Sequence, residues 1–177
     1  MEQHEKKARP NKMIFIPNAV TMINLALGFI SLFLTMEGMY HEAAYAIFGA
    51  MIMDSMDGRL ARRFQVVSEF GKELDSLSDL VSFGIAPALL AYAMKLYHWG
   101  HRGLLVAVVF ALCGAFRLAR FNVINVKTYF VGVPITFCGP ILTLSLLLSK
   151  WIDYRVYPVL VIILGYLMVC NLKVPKF

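Results

Sequence analysis

The sequence predicts an all-α polytopic membrane protein built as a bundle of six transmembrane helices. Of its 177 residues, 59% are hydrophobic and only 16% are charged, and the mean hydropathy is +0.68. A soluble domain carries about 25% charged residues, so polar side chains are too few here to coat an ordinary cytosolic enzyme. Long charge-free runs, with basic residues gathered on one side of them, complete the case.

The runs 13–36, 128–149 and 156–172 are uncharged, and each suits a helix of about 20 residues crossing the bilayer. The runs 43–53, 80–94 and 103–116 are shorter. They reach spanning length only by taking in Asp54, Asp57 and Arg59 in the first, Asp75 and Asp79 in the second, and Arg117 and Arg120 in the third. The predicted helices are therefore 18–36, 43–62, 74–94, 103–122, 131–149 and 156–172. Residues 1–17 form a cytoplasmic or interfacial lead-in, with Pro17 and Asn18 marking the bend into the membrane. No repeat or composition break divides the chain, so 1–177 is expected to be one membrane domain.

Six spans place both termini on one side. Of the 17 basic residues, 13 fall in the termini, in the 2–3 and 4–5 connections, and at the ends of helices 2 and 4 that lead into them. The positive-inside rule puts those segments in the cytoplasm, as expected for a multi-pass protein of the plasma membrane. The net charge of +6 is explained by this loop placement, without a nucleic-acid partner. Cys113, Cys138 and Cys170 are far apart in apolar surroundings and read as small apolar fillers, not as a disulfide or zinc set. The polar start lacks a short apolar h-region, so no cleaved signal peptide is expected.

Four of the five aspartates fall within 26 residues. Asp54 and Asp57 are three apart on helix 2, and Asp75 and Asp79 four apart on helix 3, so each pair shares a helix face. A loop around 63–72 makes the two helices adjacent and antiparallel, which brings all four carboxylates into the cytoplasmic half of the membrane. Ionised aspartates there cost several kcal/mol each and repel one another, so protons or cations must hold them. Oxygen-only ligands suit Mg²⁺, Mn²⁺ or Ca²⁺, and two divalent ions would neutralise four charges and serve phosphoryl chemistry. Interhelical salt bridges with Arg59, Arg62 or Arg117, or a proton or cation pathway, are the competing readings of the cluster. Gly58, Ala61 and Gly71 continue the same faces and leave room for a bulky ligand.

Written out, the pattern is D-x2-D-G-x2-A-R-x8-G-x3-D-x3-D, occupied by Asp54, Asp57, Gly58, Ala61, Arg62, Gly71, Asp75 and Asp79. It resembles the signature of the CDP-alcohol phosphatidyltransferases, with no position missing. Within that family the chain looks most like the integral-membrane phosphatidylserine synthases, on the stretches ELDSLSDLVSFGIAPA, FRLARFN and FVGVPIT. The resemblance implies transfer of a phosphatidyl group from CDP-diacylglycerol, or in an archaeon CDP-archaeol, to the hydroxyl of L-serine, with release of CMP. It implies Mg²⁺ or Mn²⁺, two ions, at Asp54, Asp57, Asp75 and Asp79, with Asp79 also the general base. It implies a CDP-lipid site along Asp54, Asp57, Gly58, Ala61, Arg62 and Gly71, and a homodimer. The residues by themselves leave Asp79 as a ligand, a base, or each in turn.

Serine carries a carboxylate, so its site needs a fixed cation. Arg117 and Arg120, at the cytoplasmic end of helix 4, are the candidates to bind the acceptor or the lipid phosphate. Asn18 and Thr21 are placed first as caps of helix 1, with Thr21 also a candidate contact of the CDP-lipid. Asn122 is read as a cap and Lys127 as a loop charge. His98 and His101 lie on the opposite side of the membrane from the carboxylates and are excluded from catalysis. Alternatives to serine are glycerol phosphate or inositol phosphate as acceptor and, from another class, a cation transporter using the aspartates.

Overall fold

The structure is a computed structural model and describes residues 15–64, 68–123, 129–150, 152–170 and 173–175. Among the described residues, six helical rods carry the fold. The first two are α1 (Phe15–Met36) and α2 (Tyr40–Phe64). The third is continuous from α3 (Glu69–Asp79) through a π-helical segment, Leu80–Ile85, into α4 (Ala86–Met94). α5 (His101–Val123), α6 (Ile135–Leu147) and α7 (Tyr157–Val169) complete the set. The rods follow the predicted order, with ends that differ for physical reasons.

α1 starts at Phe15 and takes Pro17 into its first turn, where the missing N–H costs nothing, so no bend forms there. Met13 and Ile14 lie outside the described residues. α3 starts at Glu69, earlier than expected, because the Ser68 side chain caps it by accepting from the Gly71 amide at 3.0 Å. α6 starts at Ile135, not at 131. Gly132, at φ +79°, and Pro134 turn the chain there. Before that turn, β1 (Tyr129–Val131) pairs antiparallel with β2 (Lys173–Pro175), which stands beyond the end of α7.

The 69–94 rod is the centre of the bundle. It packs against α1, α2, α5 and α6, while α7 lies outside against α5. Phe83, Ala86, Leu90 and Ala91 are fully buried along it. The outward faces of the other rods are apolar: Phe29 and Phe33 on α1, Leu105 and Leu112 on α5, and Ile162 and Tyr166 on α7 are all exposed. A soluble surface would not carry such continuous apolar faces; a bilayer accepts them. Three stretches are long and apolar enough to cross it: Pro17–Met36, Glu69–Met94 and His101–Val123. Ile135–Leu147 and Tyr154–Val169 are shorter apolar helices. The chain is a membrane protein.

Candidate metal and phosphoryl-transfer site

α2 and α3 bear the four aspartates, yet they scarcely touch. α2 meets the third rod farther along, at the π segment and α4, while α1 packs against both α2 and α3. The expected adjacency of helices 2 and 3 thus holds at the π segment and α4, and opens toward α3 into a V with α1 packed along both arms. The space between the arms is a cavity of about 510 Å³ lined by Asp54, Asp57, Asp75 and Asp79. Helical spacing puts each pair on the cavity face, so that the carboxylates meet across it.

The carboxylates differ in their surroundings. Asp57 and Asp79 are 5% and 6% exposed, whereas Asp54 and Asp75 are half-buried. Asp57 Oδ2 accepts from Thr21 Oγ1 at 2.9 Å, and Asp79 Oδ1 accepts from Asn24 Nδ2 at 3.5 Å. Asp54 and Asp79 lie within hydrogen-bonding reach of each other across the V. Asp54, Asp57 and Asp75 can each bring one oxygen to within 4.8 Å of the other two. Asp75 Oδ1 is buried with no partner among the described residues. An all-carboxylate set with an orphaned buried oxygen fits a hard divalent cation and not zinc, which prefers nitrogen and sulfur.

Facing the carboxylates across the cavity is Arg117 of α5, 7% exposed, with Nε unpartnered among the described residues. Its guanidinium stands 5.7 Å from the Phe121 ring centroid. Arg120 goes elsewhere. It is absent from the cavity lining, donates to the Val169 carbonyl of α7 at 3.2 Å and stacks over Phe116. Among the described residues, the second cation of the cavity is instead Lys72, on the face of α3 that also carries Asp75 and Asp79.

Gly58 lines the cavity, and a Cβ there would meet nothing within 4 Å among the described residues. Gly71 does not line it. A Cβ at Gly71 would stand 3.0 Å from both Asn18 Oδ1 and Ser68 Oγ, so this glycine lets α1 approach α3. The side chains of Ala61 and Arg62 lie outside the described residues, as does Lys127. Thr21 is not a cap. It lies inside α1, bonded to the Pro17 carbonyl at 3.1 Å as well as to Asp57. Asn122 is no cap either: its amide donates to the Glu73 carboxylate at 3.2 Å and to Ser76 Oγ at 3.1 Å, closing the wall between α5 and α3.

Sequence reasoning missed Lys72, Ser76, Asn24 and Thr136. Spacing could have found the first two, since 72, 76 and 79 fall on one helical face. Asn24 carried a weaker signal, a polar residue in an otherwise apolar span. Thr136, near the start of α6, reaches the cavity through tertiary packing alone.

The sequence matches the description CDP-alcohol phosphatidyltransferase over residues 14–171. The chain belongs to the CDP-alcohol phosphatidyltransferase family. Among curated relatives, the CDP-diacylglycerol–serine O-phosphatidyltransferase of Bacillus subtilis is 37% identical over 170 residues, covering 93% of this chain and 92% of that protein. The protein of the same name from Methanocaldococcus jannaschii is 40% identical over 168 residues, 94% of this chain and 76% of its own length. The archaetidylserine synthase of Methanothermobacter thermautotrophicus is 32% identical over 166 residues, 92% of this chain and 70% of that protein.

Proposed function

We propose that this chain synthesises phosphatidylserine or its ether-lipid counterpart. It moves the phosphatidyl group of a CDP-lipid to the hydroxyl of L-serine and releases CMP. The observation that carries the reading is the convergence of four carboxylates and one buried arginine on a single cavity of about 510 Å³. The names of the relatives support serine, and the cavity's charge agrees. Among the described residues, Arg117 and Lys72 are the cations lining it, a sparse supply for a phosphorylated acceptor such as glycerol phosphate or inositol phosphate.

Asp54, Asp57 and Asp75 hold the divalent cation, with Asp79 completing the set for a second, and Mg²⁺ and Mn²⁺ are the ions such oxygens select. When bound, the cation supplies Lewis-acid stabilisation of the pyrophosphate charge. Asp79 takes the proton of the acceptor hydroxyl, which is too weak a nucleophile while protonated. Arg117 holds the serine carboxylate with paired hydrogen bonds and so aligns the hydroxyl. The open side at Gly58 admits the nucleotide, with Ala61, Arg62 and Gly71 completing that stretch of the signature. The whole chain acts as one membrane domain of six spans in the plasma membrane, with termini and cavity facing the cytoplasm, and works as a homodimer.

The test is CMP release by purified protein in detergent from CDP-diacylglycerol, with serine, glycerol 3-phosphate and inositol phosphate in parallel. Cation-dependent release with serine alone is expected. Release with a phosphorylated acceptor and none with serine would sink the serine assignment.

A further inference from the structure

α1 acts as a rail between the arms of the V. Thr21 and Asn24, three residues apart on one helix face, hold Asp57 of α2 and Asp79 of α3 respectively. The backbone of the same turn is tied to the third rod. Ser78 Oγ donates to the Thr21 carbonyl at 3.1 Å, and Ser82 Oγ donates to the Asn24 carbonyl at 3.0 Å. These serines flank Asp79 at either end. One turn on, a Cβ at Gly28 would stand 2.9 Å from Ser82 Cα, so only glycine lets the two rods close here.

Asn24 is an uneconomical choice for packing alone. It is fully buried, and its Oδ1 has no partner among the described residues. A leucine, with the same number and branching of side-chain heavy atoms, would occupy the site without an orphaned polar atom. Local rules broken at a cost to stability are expected where a side chain serves the reaction.

We infer that Asn24 is a positioning residue for Asp79. Its amide holds one carboxylate oxygen against α1 and turns the other toward the cavity and the acceptor hydroxyl. The inference rests on the reading of Asp79 as the base. The 3.5 Å contact is at the outer limit of a hydrogen bond, as catalytic contacts often are before substrate closes on them.

The experiment compares wild type with Asn24→Leu and Asn24→Ala for CMP release from CDP-diacylglycerol and for thermal unfolding in the same detergent. Asn24→Leu removes the orphaned Oδ1 but also the donor to buried Asp79, and is expected to unfold within a few degrees of the wild-type temperature. Its kcat should fall about 100-fold while KM for both substrates stays within about twofold. A merely structural asparagine would give the opposite pattern, with stability lost and kcat kept in the surviving fold. Asn24→Leu with kcat within threefold of wild type overturns the inference, and Asn24→Ala decides by the same criterion if the leucine variant does not fold. A wild type silent with serine but active with another alcohol sinks the serine reading alone, and Asn24 is then judged with that alcohol. A wild type silent with every alcohol overturns both.

Discussion

The two walls of the cavity are unlike. The α2 wall is open at Gly58, which is exposed, and at half-buried Asp54, while Asp57 is buried and held by Thr21; among the described residues, a methyl group at Gly58 would meet nothing within 4 Å. The opposite wall is the more braced, although Asp75 and Lys72 on it are half-buried. Asp79 and Arg117 are almost fully buried, Asn24 backs the first, and Asn122 stitches α5 to Glu73 and Ser76 of α3. An open wall suits a large nucleotide that must enter and leave. A braced wall suits the step in which a small alcohol is oriented and deprotonated. On the proposed function, the difference would put the two substrates on two sides of one pocket.

Substitutions on each wall should therefore fail in different ways. The largest effect is expected from Asp79→Asn, which removes the proton acceptor while preserving shape. CMP formation should drop about 10³-fold with CDP-lipid binding still measurable by displacement of a labelled nucleotide lipid. More than a tenth of wild-type turnover would remove Asp79 from that role. Next, Asp54→Asn on the open wall should raise the Mg²⁺ or Mn²⁺ concentration for half-activity by more than about tenfold. Chelation should abolish activity in the wild type, and added metal should restore it. An unchanged metal titration would mean that the α2 wall binds no cation.

Arg117→Ala should come third, raising KM for serine roughly 30-fold, about 2 kcal/mol, with KM for the CDP-lipid changed less than about twofold. Equal rises in both would move Arg117 to the lipid phosphate and blur the two walls. The smallest effect is expected at Gly58. Alanine should fold normally and raise KM for the CDP-lipid only a few-fold, leaving KM for serine alone. A serine-specific defect there would reverse the assignment of the walls.

Much of this site could be read from the chain. Aspartates three and four apart declare a shared helix face whatever surrounds them, and the order of rods followed from charge-free runs. What escaped were relations between helices. Arg117 and Arg120 are about 60° apart around α5, too little for spacing to separate, yet one faces the cavity and the other α7. Thr21 and Asn18 looked like caps because the start of α1 was placed three residues late, beyond a proline that the first turn accommodates. The V between α2 and α3 was hidden for a similar reason. A short connection implies neighbours, but how far they open depends on packing with α1, a helix from elsewhere in the sequence.

The π-helical segment that follows Asp79 has a consequence for how such a chain can evolve. Its wider i→i+5 turns amount to one residue more than an α-helix would hold over the same rise. Delete one residue between Leu80 and Ile85 and the helix can regularise with Asp79 and Leu90 keeping their relative faces, whereas the same deletion within α4 would rotate Asp79 by roughly 100° relative to Leu90. Ser78 and Asp79 would then lose α1 as long as Leu90 kept its place in the core. Loss of one residue is therefore better tolerated in this stretch than in the α-helix that follows it. The segment should act as a buffer for length, while Ser82 and Phe83 are fixed in identity by their contacts with α1 and the core.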